Sequence, residues 1–158
     1  MSLETIAQTL AETPLAYYLS DSPWLFGAVE SVHVLALTLV FGSIAVVDLR
    51  LIGIGPAHGP AQQVIDRLLP FTWGGFALAV TTGSVMIFAN PIGYAANTWF
   101  RVKFALLATA GLNMLLFHFV SAKQLEQPAA IAPRVSGGLS LVVWTGVIIA
   151  GRWIGYTI

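Results

Sequence analysis

Ionisable side chains inside the first long apolar segment are the residues of this sequence best placed to do chemistry. Glu30, His33 and Asp48 fall on one face of a helix, with leucine, valine and isoleucine at the intervening steps of three and four residues. Ionisable groups inside a membrane span are costly and usually face the protein interior. We therefore expect this face to point inward, where it could hold a cofactor, a metal ion or protons.

A second set of candidate residues lies in the last two apolar segments. Lys103 and His118 share a helical face, and Gly111 beside it leaves space for something flat, while Arg152 lies near the end of the last segment. The chain has no cysteine, which excludes thiolate metal sites, iron–sulfur clusters and covalently attached haem. Two imidazoles then suggest axial ligation of non-covalent haem b, with Lys103 and Arg152 pairing its propionates. The alternative is that each histidine only forms hydrogen bonds between helices.

Helix geometry separates the two histidines. At about 1.5 Å per residue, His33 lies roughly 15 Å beyond Pro23 and His118 roughly 28 Å beyond Trp99, on helices that run in the same direction. The two imidazoles are therefore not expected to bind the same iron. Two polar levels follow, with these members: His33, Glu30, Lys103 and Arg152 at one level, and His118, Asp48, Arg50 and the loop residue His58 at the other.

The elements that carry these residues are four apolar stretches, each long enough to cross a bilayer. The 158 residues are 57% hydrophobic and 9% charged, so much apolar surface must face lipid. We predict an all-α integral membrane protein, a four-helix transmembrane domain over residues 22–158 after an N-terminal interfacial segment, residues 1–21, with a short amphipathic helix. Ser22 and Pro23 are expected to begin the first span, and Pro70 to lie near the start of the second. The predicted spans are about 23–53, 63–90, 97–124 and 134–156.

Charge and location are the next expectations. The net charge is zero, which gives no sign of a nucleic-acid partner. Four basic residues, Arg50, Arg67, Lys123 and Arg134, lie on the side of the two long loops, and three, Arg101, Lys103 and Arg152, on the side of the termini. The positive-inside rule then predicts a multi-pass protein of the bacterial inner membrane with its N-terminus outside.

Several short motifs resemble a known group of proteins. They are Ser31-Val32-His33, Phe41-Gly42, Leu49-Arg50-Leu51, Thr82-Gly83 and the run from Trp99 to Leu106, with His118 farther along. The sequence resembles small haem-binding membrane bundles that include HemJ-type protoporphyrinogen oxidases and, more loosely, CopD-like proteins, and it is also similar to bacterial membrane proteins of unknown function. The resemblance implies that His33, Arg50 and Lys103 belong to a functional core.

Several functions remain open from the sequence. The leading expectation is a b-type cytochrome-like protein that passes electrons between a quinone or small reductant and a partner. One alternative is an oxidase acting on a porphyrinogen, with a bound tetrapyrrole as substrate. Others are a cofactor-free carrier of protons or metal ions, using Glu30, His33 and Asp48, and a scaffold subunit. Whether the protein is an enzyme stays open, and association with copies of itself could complete a haem pocket.

Overall fold

The computed structural model describes residues 3–54, 61–121, 125 and 131–158. These residues form helices and turns, and no strand occurs among them. The helices are α1 (Leu3–Ala11), α2 (Pro14–Asp21), α3 (Leu25–Leu51), α4 (Ala61–Ile87), α5 (Pro91–Ala96), α6 (Thr98–Leu116), which continues as a π-helical turn over Phe117–Ser121, and α7 (Ile131–Thr157).

Four of these helices are long and apolar enough to cross a membrane. They are α3, α4, α7 and α6 with the start of its π-helical turn, over Thr98–Phe119. Much of their apolar surface is exposed, as at Leu35, Val142 and Phe119, because the hydrocarbon of the bilayer covers it. The predicted fold class is confirmed, and the chain is a multi-pass membrane protein.

Helix α3 is the centre of the bundle. It packs against both α4 and α7, and α6 packs on the other side of α7. A Cβ at Gly75 would lie only 3.0 Å from Val40 Cγ2 and 3.2 Å from the Ala36 carbonyl oxygen, and one at Gly137 would lie 3.0 Å from the Asp48 carbonyl oxygen. Small residues at these crossings let the backbones approach closely, as is common between helices in membranes.

The helix starts differ from the predicted ones. Helix α3 begins at Leu25, whose backbone N–H donates to Ser22 Oγ at 3.3 Å, so Pro23 lies in the turn before the helix. Helix α4 begins already at Ala61, which places Pro70 inside it. The polar residues before Leu68 thus extend the helix, although they gave no apolar signal in the sequence.

The N-terminal segment contains two short helices, which Glu12 and Thr13 separate. Thr13 Oγ accepts a hydrogen bond from the Ala16 backbone N–H at 3.3 Å, and Pro14 occupies the first turn of α2, where its missing N–H costs least. Helix α1 packs against α5, the short helix that joins α4 to α6.

The close contact at Gly75 predicts how two neighbouring substitutions differ. Gly75→Val forces a side chain against α3, whereas Gly74→Val adds the same side chain where no atom lies within 4 Å. Both changes alter helix propensity equally, so their difference measures packing. We expect Gly75→Val to be less stable by about 1–3 kcal/mol, measured by thermal unfolding in detergent micelles. Equal unfolding temperatures would show that α3 and α4 do not pack as described.

Candidate functional site

The imidazole of His33 is held between α3 and α4 by hydrogen bonds to the Thr82 side chain and the Ala79 backbone. His33 is buried, with 9% of its surface exposed, and its Nδ1 lies 2.9 Å from Thr82 Oγ. The Thr82 hydroxyl hydrogen is directed to the Leu78 carbonyl oxygen, 2.7 Å away, so Thr82 Oγ accepts from His33 Nδ1–H. The neutral ring then keeps a lone pair on Nε2, the nitrogen with which an imidazole can bind a metal or accept a proton.

Lys103 of α6 belongs to the same level. Its ammonium acts electrostatically on the His33 ring, and its Nζ passes 3.4 Å from where a Cβ on Gly151 would lie. Glycine at position 151 therefore makes room for the lysine against α7. Lys103 is partly buried, and among the described residues it forms no ion pair. An amine in apolar surroundings favours an anionic partner.

Glu30 and Arg152, the other residues predicted for this level, each interact with a tyrosine. Glu30 is half-buried near Tyr94 of α5; burial raises the pKa of the Tyr94 hydroxyl, and the negative charge of Glu30 raises it further. Arg152 is exposed and donates from Nη2 to the Tyr156 hydroxyl at 3.2 Å. Arg152 follows Gly151, which faces Lys103, and one residue turns a helix by about 100°. This rotation directs Arg152 away from the lysine.

Asp48 is the buried acid of the second level. Only 5% of its surface is exposed, and the Ser140 side chain of α7 hydrogen-bonds its carboxyl group. Gly137, one turn before Ser140, is where α7 comes within contact of α3, so the same close approach brings Ser140 to the acid. One of its two carboxyl oxygens, Oδ2, has no hydrogen-bond partner among the described residues. A buried acceptor without a donor is costly and points to a missing partner.

A cavity of about 270 Å³ lies beside Asp48 and is bordered by all four spanning helices. His118, in the π-helical turn, is one of its lining residues, and its Nδ1 lies 3.1 Å from the Met114 carbonyl oxygen. Nδ1 therefore carries the hydrogen of a neutral His118, and Nε2 has the lone pair. Along α3, His33 and Asp48 are about 22 Å apart at 1.5 Å per residue, so this cavity forms a separate level.

The sequence did not reveal the hydrogen bonds that join polar residues of different helices. Asn113 Nδ2 donates to the Ser136 carbonyl oxygen at 3.1 Å, and Ser136 Oγ donates to Asn113 Oδ1 at 3.2 Å, which joins α6 to α7. Ser43 Oγ and Thr72 Oγ are 2.8 Å apart and join α3 to α4. The sequence does show hydroxyl and amide residues in the middle of its apolar segments, but it does not show which of them pair.

Arg50 and His58 are the other residues predicted for the Asp48 level. Arg50 is half-buried in the last turn of α3, two residues after Asp48. His58 lies outside the described residues. Over the described ranges, no three His, Asp or Glu side chains gather into a cluster that could hold a metal ion.

Sequence comparison identifies the family of the chain. A model of a family of unknown function, DUF6644, matches residues 11–157. The chain belongs to this family. No curated protein and no solved structure matches it. The match agrees with the expected relation to membrane proteins of unknown function, and the resemblance to HemJ-type oxidases and CopD-like proteins stays a prediction.

The buried carboxyl group of Asp48 predicts that this residue lowers stability. Asp48→Asn keeps the shape of the side chain and replaces an ionisable group with a neutral amide, so we expect the free energy of unfolding to rise by about 1–2 kcal/mol. Thermal unfolding in detergent measures this. Asp66→Asn is the matched control, because Asp66 is exposed and accepts from Gln62 Nε2 at 2.7 Å; it should change stability little. A loss of stability in Asp48→Asn would mean that the carboxyl group is satisfied in the fold.

Proposed function

We propose that this protein holds non-covalent haem b at His33 and transfers electrons within the bacterial inner membrane. The observation that carries the proposal is the hydrogen bond from His33 Nδ1–H to Thr82 Oγ. Histidines that bind metal ions almost always donate their other ring N–H to a fixed acceptor, which orients the ring and makes it more basic. Thr82 supplies that acceptor from the neighbouring helix.

The other residues at this level fit the chemistry of a haem. Its two propionates are anions, and Lys103 offers an ammonium beside His33 that no described acid neutralises. The chain has no cysteine, and histidine is an axial ligand that haem proteins commonly use. Bound haem would supply one-electron chemistry, with a quinone or small reductant as the proposed electron partner.

We prefer His33 over His118 as the haem ligand. Both imidazoles have Nδ1 next to an acceptor and Nε2 with the lone pair. His118, however, is exposed and borders the cavity at the Asp48 level, away from Lys103. His33 alone combines burial, an acceptor from a neighbouring helix and a nearby unpaired cation.

An absorption spectrum tests the proposal. Protein purified in detergent from haem-replete cells should show a Soret band, and His33→Ala should lose it because the axial ligand is gone. Thr82→Val should retain the ligand and bind haem about 10 to 100 times more weakly, since the acceptor for Nδ1–H is removed. Haem retained per protein, compared over a dilution series, measures both effects.

Thr81→Val is the matched control. Thr81 is exposed and donates to its own helix, at the Ala77 carbonyl oxygen, so its haem content should equal that of the native protein. Native protein without a Soret band would refute the haem assignment. If His33→Ala does not fold, Thr82→Val decides, and equal haem affinity in Thr81→Val and Thr82→Val would count against His33 as the ligand.

The proposed orientation places the N-terminus outside. Lys103 packs against α7 at Gly151, so it contributes less to the surface charge of the side of the termini than Arg101 and Arg152, which are exposed. Arg67 and Arg134 are exposed on the opposite side, the side of the two long loops. Their charges support the assignment of that side to the cytoplasm.

A topology measurement checks the orientation. Because the chain has no cysteine, single cysteines can be introduced at Thr157 and at Asp66 without background. In intact spheroplasts, an impermeant maleimide should label Thr157→Cys and not Asp66→Cys, and permeabilised cells control for reactivity. The reverse labelling pattern would place the N-terminus in the cytoplasm.

A further inference from the structure

The cavity beside Asp48 contains a carboxyl oxygen that lacks a hydrogen-bond donor among the described residues. Its polar neighbours are already engaged: Asn113 and Ser136 bond each other, and the Thr72 hydroxyl is shared between Ser43 Oγ and the Leu68 carbonyl oxygen. The Ser140 side chain forms a hydrogen bond with the Asp48 carboxyl group, and Oδ2 of that group is still without a partner among the described residues. A molecule that occupies the cavity and donates to Oδ2 would complete this group.

The lining of the cavity favours a flat aromatic body. Four aromatic side chains border it, Trp73, Phe76, Phe117 and Trp144, and most of the other lining residues are apolar. A Cβ on Gly111 would meet no atom within 4 Å, so this wall is open enough to accept the face of a ring. Aromatic rings stack well against such side chains, and apolar pockets with a few polar groups are typical of ligand sites.

The route into the cavity favours an uncharged molecule. Helices α4 and α6 both line the cavity, yet in the described part of the chain they do not pack together as the other neighbouring spans do. Trp73 of α4 and Met114 of α6, which are lining residues, are also partly exposed. A ligand would therefore enter sideways from the bilayer, and crossing hydrocarbon as an ion is strongly unfavourable.

From these three features we propose that the cavity binds a lipid-soluble phenol or hydroquinone, whose hydroxyl group donates a hydrogen bond to Asp48 Oδ2. His118 lines the same cavity and offers its Nε2 lone pair as a second acceptor, which suits the two hydroxyl groups of a hydroquinone. The site is independent of haem at His33, because it rests on different residues at a different level of the bundle.

A pair of probes tests the hydrogen bond. The probes are an alkylated 1,4-hydroquinone and its dimethyl ether, which has a similar shape and no donor. Binding is measured by calorimetry, under anaerobic conditions, to the native protein in lipid nanodiscs, with empty nanodiscs subtracted. We expect the hydroquinone to bind at least tenfold more tightly than the ether. Equal affinities would reduce the site to an apolar space for lipid chains and overturn the proposal.

Three substitutions test the location. Asp48→Leu should reduce the preference for the hydroquinone over the ether at least several-fold, because only the His118 acceptor is left. Gly111→Leu should weaken both probes at least tenfold by filling the cavity, whereas Gly42→Leu, at an exposed glycine with no atom near its Cβ position, should leave both affinities unchanged. Unchanged binding in Gly111→Leu would place the probes elsewhere. If Asp48→Leu does not fold, Asp48→Ala, which also lacks an acceptor, replaces it, and a preference retained in full would exclude Asp48 as the acceptor.

A lipophilic amine tests the alternative that the Asp48 carboxylate binds a cation. Dodecylammonium carries a cation in place of the neutral hydroxyl group, and the proposal expects it to bind more weakly than the hydroquinone. Tighter binding of the amine would show that the carboxylate recruits cations, and would overturn the assignment. None of these measurements depends on haem absorbance, so the two proposals can fail separately.

Discussion

Close contact between α3 and its two neighbours is the constraint on which both polar levels depend. Gly75 lets α4 approach α3, and Gly137 lets α7 approach it from another side. Apolar side chains gain little by leaving lipid, so association of membrane helices relies on close packing and on hydrogen bonds between helices. Where α7 touches α3 at Asp48, Ser140 reaches the carboxyl group. Larger residues at these two glycines would separate the helices and with them the polar partners.

Hydroxyl groups on the spanning helices determine the hydrogen-bonding roles of their neighbours. In a bilayer a threonine usually satisfies its hydrogen with a carbonyl oxygen of its own helix, as Thr82 does with Leu78. The oxygen can then only accept from another helix. This leaves His33 with its hydrogen on Nδ1 and its lone pair on Nε2. A hydrogen bond from a threonine side chain to the backbone of α4 thus determines which nitrogen of an imidazole on α3 can bind a ligand.

Sequence periodicity predicts much of α3 and little of its surroundings. The inward positions of His33 and Asp48 follow from helical spacing and from the cost of ionisable groups in lipid, and both residues are buried in the structure. Their partners Thr82 and Ser140 depend on how far one helix is shifted along another, which no single segment encodes. The gap between α4 and α6 likewise results from the packing of α3 and α7 rather than from the sequence of either helix, so the cavity was not predicted.

The two levels contain ionisable groups of opposite sign that the fold keeps apart. Lys103 lies beside His33, and Asp48 is about 22 Å farther along α3 at 1.5 Å per residue. An amine and a carboxyl group in one bundle could have stabilised each other as an ion pair, which is how such groups usually occur inside membranes. Here neither has an ionic partner among the described residues. Packing alone therefore does not explain them, whereas an anion at the first level and a hydrogen-bond donor at the second would satisfy both.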